Sequence, residues 1–142
     1  MSGTPLDLGR FKAACEAIVK GGDKIFGWQW DDRLRAALAA FPRSDSPRAH
    51  ALLEQGFAQC WNKDSIRGAS PAVLKIAESL GGLRAGQELF LSDAERSTRM
   101  CACWWPWGDG DTISVRIMLL TEGVAETEEP RRFKEFQSWF GL

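Results

Sequence analysis

An α+β fold is what this sequence predicts, with helices packed on a small antiparallel sheet and a helix closing the chain. Three observations carry that expectation. Apolar residues recur at helical spacing in four stretches before residue 82, the period falls to two beyond residue 85, and helical spacing returns after Pro130.

The first helix is announced by Thr4, Pro5 and Asp7: a capping hydroxyl, a proline at the first helical position and a carboxylate that can answer the cap. Phe11, Ala14, Cys15, Ile18 and Val19 form its stripe, and Gly21 with Gly22 stops it. Residues 24–30 are the least defined. Phe26, Trp28 and Trp30 alternate there, as in a short edge strand. A second helix is expected over 31–41, with Leu34, Ala37, Leu38 and Phe41 on one face and Pro42 as its end. A third starts at Ser46 and Pro47, carries Leu52, Leu53, Phe57, Cys60 and Trp61, and closes at Asn62. A fourth starts at Ser70 and Pro71, carries Val73, Leu74, Ala77 and Leu80, and stops at Gly81 and Gly82.

Strand periodicity follows. Ile113, Val115, Ile117 and Leu119 alternate with Thr112, Ser114, Arg116 and Met118, so the first four should line the core face of the longest strand. Residues 97–105 pair with that strand across a turn at 106–111, and 87–91 supply a third strand. An acidic linker over 121–129 leads to the last helix, on which Phe133, Phe136 and Phe140 share a side with Trp139 next to them. The expected organisation is one domain over 1–142: a helical part at about 4–82, a β part at about 86–121 and a C-terminal helix at about 130–141. The helices should cover one face of the meander.

Composition narrows the function. The chain has 142 residues, 44% apolar and 26% charged, which is enough apolar content to build a core without disulfides or a structural metal. A formal charge of −1 gives no electrostatic footprint for nucleic acid. The longest apolar runs fall far short of the ~18 residues that span a bilayer, and the first residues do not read as a signal peptide. Four cysteines in such a chain read as reduced thiols, so the expected compartment is the cytoplasm. The sequence contains no phosphate-binding glycine loop, no zinc-protease signature and no nucleophile elbow, so neither an enzyme nor a cofactor is expected.

Several residues could still carry chemistry. His50 is the single histidine, and its place in a first helical turn disfavours a charged imidazole; a partly exposed helical residue is the plainer reading. Cys101 and Cys103 would share a strand face roughly 7 Å apart. As zinc ligands they would need two more donors from Cys15, Cys60, His50 or a carboxylate, in a spacing that fits no standard finger or ribbon, so no metal site is expected. Gly108, Asp109, Gly110 and Asp111 suit a turn better than a calcium loop, which needs further oxygen donors.

Trp104, Trp105 and Trp107 remain, in a chain with seven Trp and no Tyr. Neighbours on a strand point to opposite faces, so Trp104 and Trp105 cannot share one core, and an exposed indole close to acidic groups is typical of a binding hot spot. The functional expectation is a non-enzymatic protein of the immunity or inhibitor type that occludes the active site of a partner toxin or enzyme. Trp104, Trp105 and Trp107 would anchor a protein partner, while Asp109 and Asp111, helped by Glu122, Glu126, Glu128 and Glu129, would face its basic groups. A small-molecule binder or enzyme with a Trp-lined pocket is the alternative. Phe133, Phe136, Trp139 and Phe140 offer a route to a homo-oligomer.

Overall fold

The computed structural model describes residues 8–94, 98–121 and 129–142. Helix α1 (Gly9–Gly21) is followed by strands β1 (Gln29–Asp31) and β2 (Ala36–Pro42), then α2 (Ser46–Gly56), β3 (Gln59–Asn62) and α3 (Pro71–Ser79). Strands β4 (Glu88–Leu91), β5 (Thr98–Pro106) and β6 (Thr112–Thr121) precede the closing helix α4 (Glu129–Trp139). The six strands form one antiparallel sheet in the order β1-β2-β6-β5-β4-β3. The α+β class and the closing helix are those the sequence predicts, although strands are interleaved with helices from residue 29 onward and the two are not divided near residue 85. The proposed cap at Thr4 to Asp7, and Glu122, Glu126 and Glu128, lie outside the described residues.

Two predicted helices differ. Residues 31–41 form the β1–β2 hairpin. Its reversal is built by the Asp31 carboxylate, whose Oδ1 accepts hydrogen bonds from the amides of Arg33 (3.0 Å) and Leu34 (3.3 Å), and by Arg35 in the left-handed region at φ 51°. Alanine's helix propensity there is overridden by pairing with β6 along the length of β2, from Ala37 opposite Ile117 to Pro42 opposite Thr112. The predicted third helix ends at Gly56, and Phe57 is already extended at φ −127°. Gly56 also marks a close crossing, since a Cβ there would lie 2.9 Å from the Ile18 Cδ1 of α1. Asn62 closes no helix. It ends β3 in a tight turn, its Oδ1 accepting from the amides of Asp64 and Ser65. The α3 start is as expected, with the Ser70 hydroxyl accepting from the Val73 amide.

Both sheet faces are covered. Strand alternation sends Ile113, Val115, Ile117 and Leu119 of β6, with Met100, Ala102 and Trp104 of β5 and Phe90 of β4, to one face. There they meet Phe11, Cys15 and Ile18 of α1, Ala49 and Leu53 of α2, and Phe136 and Trp139 of α4. The intervening residues Leu89, Leu91, Cys101, Cys103 and Met118 pack under Val73 and Ala77 of α3 on the second face. The expectation that all helices cover one face is corrected by α3. No helix among the described residues is long and apolar enough to cross a membrane.

Candidate functional site

The strands β5 and β6 are joined by residues 107–111, and this turn is held by its own side chains. The Trp107 amide donates to the Thr112 carbonyl (2.8 Å), and Gly110 takes φ +76°, a conformation that disfavours any residue with a Cβ. The Asp109 carboxylate accepts from the amides of Asp111 (2.8 Å) and Thr112 (2.9 Å) through Oδ1, and from the Thr112 hydroxyl (2.8 Å) through Oδ2. Those bonds, the Asp111 amide foremost, hold its carboxyl below the ordinary 3.8. From outside the hairpin, Arg43 donates its amide to the Asp111 carbonyl (2.7 Å) and its Nε to the Gly110 carbonyl (2.8 Å).

This arrangement distinguishes residues to which the sequence gives one role. Trp107 is 50% exposed, the largest exposed side chain on that turn. Trp104 belongs to the core instead, with its ring centroid 5.6 Å from that of Phe41 and 5.1 Å from that of His50, so it cannot touch a partner. Trp105 is half-buried on the second face, beneath the Arg116 guanidinium at 4.8 Å. Arg116 in turn donates from Nε to Asp31 Oδ2 at 3.0 Å. Asp109 has both oxygens engaged in building the turn, whereas Asp111 is exposed with its side chain outside that set of bonds. The C-terminal stripe is turned inward. Phe136, Trp139 and Phe140 are core residues, and the half-buried Phe133 lies under Arg35, 4.9 Å from its guanidinium carbon.

A second assembly forms where α2 crosses the edge of the sheet. The β3–β4 register sets Cys60 opposite Phe90 and Asn62 opposite Glu88, so the Cys60 and Glu88 side chains are diagonal neighbours on one face. His50 of α2 lies over them. Its Nε2 is 3.0 and 3.1 Å from the two Glu88 oxygens, its Nδ1 is 2.7 Å from Glu54 Oε1, and the Cys60 thiol donates to Glu88 Oε1 at 3.2 Å. Phe90 and Trp104 grip the imidazole edge-on at 5.2 and 5.1 Å. Partial burial opposes charge on His50, but the hydrogen bonds to Glu88 and Glu54 and their charges outweigh it, so its pKa is raised above 6.5. Desolvation, with the bond to Glu88 and the charges of Glu88 and Glu54 adding to it, pushes the Cys60 thiol up to about 12. The donor atoms of His50, Cys60 and Glu88 lie within 4.8 Å of one another, so among the described residues these could hold a metal.

The sequence missed this assembly. Glu54, four residues after His50 on one helix, was the readable signal. Cys60 and Glu88 were hidden by the misplaced helix end, which turns Cys60 away from any strand partner. The other cysteines are free thiols in the core. Cys15 donates to the Met100 sulfur at 3.2 Å, and a hydrogen bond with Cys103 together with complete burial raises the Cys101 thiol well above 9.0. One cleft of about 370 Å³ opens beside Glu88, lined by Asn62, Lys63, Asp64 and residues 85–87, and a smaller one of about 150 Å³ lies between Arg10, Gly56 and Asp93. Neither is lined by a Trp, so neither resembles the expected Trp-lined pocket.

Comparison with known proteins returns nothing. No family model, no curated protein and no solved structure matches this chain.

Proposed function

We propose that this chain is a cytoplasmic, non-enzymatic protein that acts by binding another protein through the end of its β5–β6 hairpin, as an inhibitor or immunity protein covers an active site. The observation that carries the reading is Trp107, a half-exposed indole on a turn fastened by Asp109 from within and Arg43 from outside. A rigid support matters because association is opposed by the ordering of side chains and loops; little ordering remains to be done here. An indole brings a large contact area for two torsions, which is why Trp recurs among the few residues that dominate interfaces. Asp111 adds a carboxylate beside it, so the complementary surface is an apolar recess with a basic rim. The four free thiols suit a reducing compartment.

The test is capture from lysate of the native host on immobilised protein. Baits are the wild type, Trp107→Ala and Leu34→Ala, the last removing an exposed apolar side chain on the distant β1–β2 turn. The proposal expects a protein held by wild type and Leu34→Ala and lost from Trp107→Ala. An identical set on all three baits contradicts it.

A further inference from the structure

We propose that His50, Cys60 and Glu88 form a binding site for one transition-metal ion, with Zn²⁺ the ion that their donor set suits best. The inference is independent of the hairpin surface. An imidazole nitrogen, a thiolate and a carboxylate oxygen are the three donor types zinc takes from proteins, and a sulfur among them disfavours Mg²⁺ and Ca²⁺. The three come from separate elements: α2 and β4 pack together through Ala49, Leu53 and Phe90, and β3 is held to β4 by its strand register.

The geometry is close to what the ion requires. Tetrahedral zinc with bonds near 2.1 Å to N and O and 2.3 Å to S separates its N and O donors by about 3.4 Å and its S and O donors by about 3.6 Å. His50 Nε2 and the Glu88 oxygen are 3.0 Å apart, and the Cys60 sulfur is 3.2 Å from the same oxygen. Admitting the ion therefore opens these two pairs by about 0.4 Å, while the His50 nitrogen and the Cys60 sulfur, within 4.8 Å of each other, settle at about 3.6 Å through side-chain torsions. The outer support is also in place. Metal-bound histidines give their second ring N–H to a carboxylate or carbonyl, which fixes the tautomer and ring orientation, and Glu54 Oε1 stands 2.7 Å from His50 Nδ1 for that role. Phe90 and Trp104 hold the ring plane. Entry is open, because Cys60 is exposed and Glu88 borders the cleft at Asn62 and Lys63, from which a water can supply the fourth ligand. On binding, the thiol proton and any proton on Nε2 leave to solvent, and the ion takes their place between the donors.

The experiment titrates chelator-treated, full-length protein with Co²⁺ and then displaces it with Zn²⁺. The expected result is one Co²⁺ per chain with a thiolate-to-cobalt charge-transfer absorption that Zn²⁺ abolishes. Cys60→Ala should remove that absorption while keeping the thermal midpoint, since the side chain is at the surface. Glu54→Gln should weaken Zn²⁺ binding by roughly 10–100-fold without changing the stoichiometry. The proposal is overturned if wild type shows no saturable Co²⁺ uptake. It is equally overturned if the absorption survives Cys60→Ala, which would place the metal on Cys101 and Cys103.

Discussion

Replacing Ile117 by Ala probes the packing on which the whole sheet depends. Ile117 is completely buried in the centre of β6, and its partners on either side are Ala37 of β2 and Ala102 of β5. Between those two alanines the isoleucine supplies the bulk beneath the helices, with Trp30 and Phe90 the next residues outward along the row. Truncation removes three carbons, worth about 2.4 kcal/mol at about 0.8 kcal/mol each. Two alanine neighbours cannot swing in to fill the gap. A residual void of about 65 Å³, at about 24 cal/mol per Å³, adds about 1.6 kcal/mol. The expected loss is therefore about 4 kcal/mol. With an unfolding entropy of about 2.1 cal/mol/K per residue over 142 residues, that lowers the thermal midpoint by about 13 °C. Ile117→Val, which leaves most of the volume in place, should cost about 0.5–1.5 kcal/mol. Urea unfolding followed by tryptophan fluorescence measures both, with an unchanged m-value showing that the unfolded states are comparable. A loss below about 2 kcal/mol for Ile117→Ala would mean that the surroundings collapse into the gap, and the packing argument would be refuted.

Met118, next on the strand, points to the opposite face and is buried under α3, so Met118→Ala should also cost at least about 2 kcal/mol in the same assay; a near-zero cost would mean that this face is wet. Gly110→Ala should cost about 1–2 kcal/mol by thermal unfolding, all of it backbone strain at φ +76°, because a Cβ there meets nothing within 4 Å; a silent substitution would place the turn in another conformation. The Arg116 hydrogen bond lowers the Asp31 pKa below 3.8 in the folded state, so its contribution is present in full above the unfolded value and is lost as pH falls through the folded one. Asp31→Asn should accordingly flatten the acid limb of the stability profile below about pH 4 while leaving its slope near neutrality unchanged, and an unaltered acid limb would show that the pair carries no linkage.

The β5–β6 hairpin, β4, α3 and the closing helix were legible because local pattern and tertiary role agree there. The alternation from Ile113 to Leu119 states the inner face directly, and Ser70 followed by Pro71 starts α3 as written. The β1–β2 hairpin was not legible, since Ala36, Ala37, Ala39 and Ala40 favour helix and their spacing fits one. What makes them a strand is a partner, β6, that lies more than 70 residues away. Small side chains are needed at Ala36 and Ala37 because both lie fully buried, on opposite faces of a sheet that is covered twice. The end of α2 has a local signal in Gly56, and a helix carried past it to Asn62 conceals the pairing that brings Cys60 to Glu88. Of the proposed surface, strand alternation correctly separated Trp104 from Trp105. It could not show that the first faces the core beside His50 or that Asp109 is committed to its own turn.

The central claim is that Trp107 anchors a protein partner from a support that does not need it for folding. The most direct measurement is the dissociation constant of the captured partner for wild type and Trp107→Ala, taken by titration calorimetry on samples whose thermal midpoints have been recorded. A loss of about 2 kcal/mol or more, roughly 30-fold in Kd, with midpoints that agree is the predicted result. An unchanged Kd would contradict the claim, as would a Trp107→Ala protein whose midpoint falls as far as that of a core truncation.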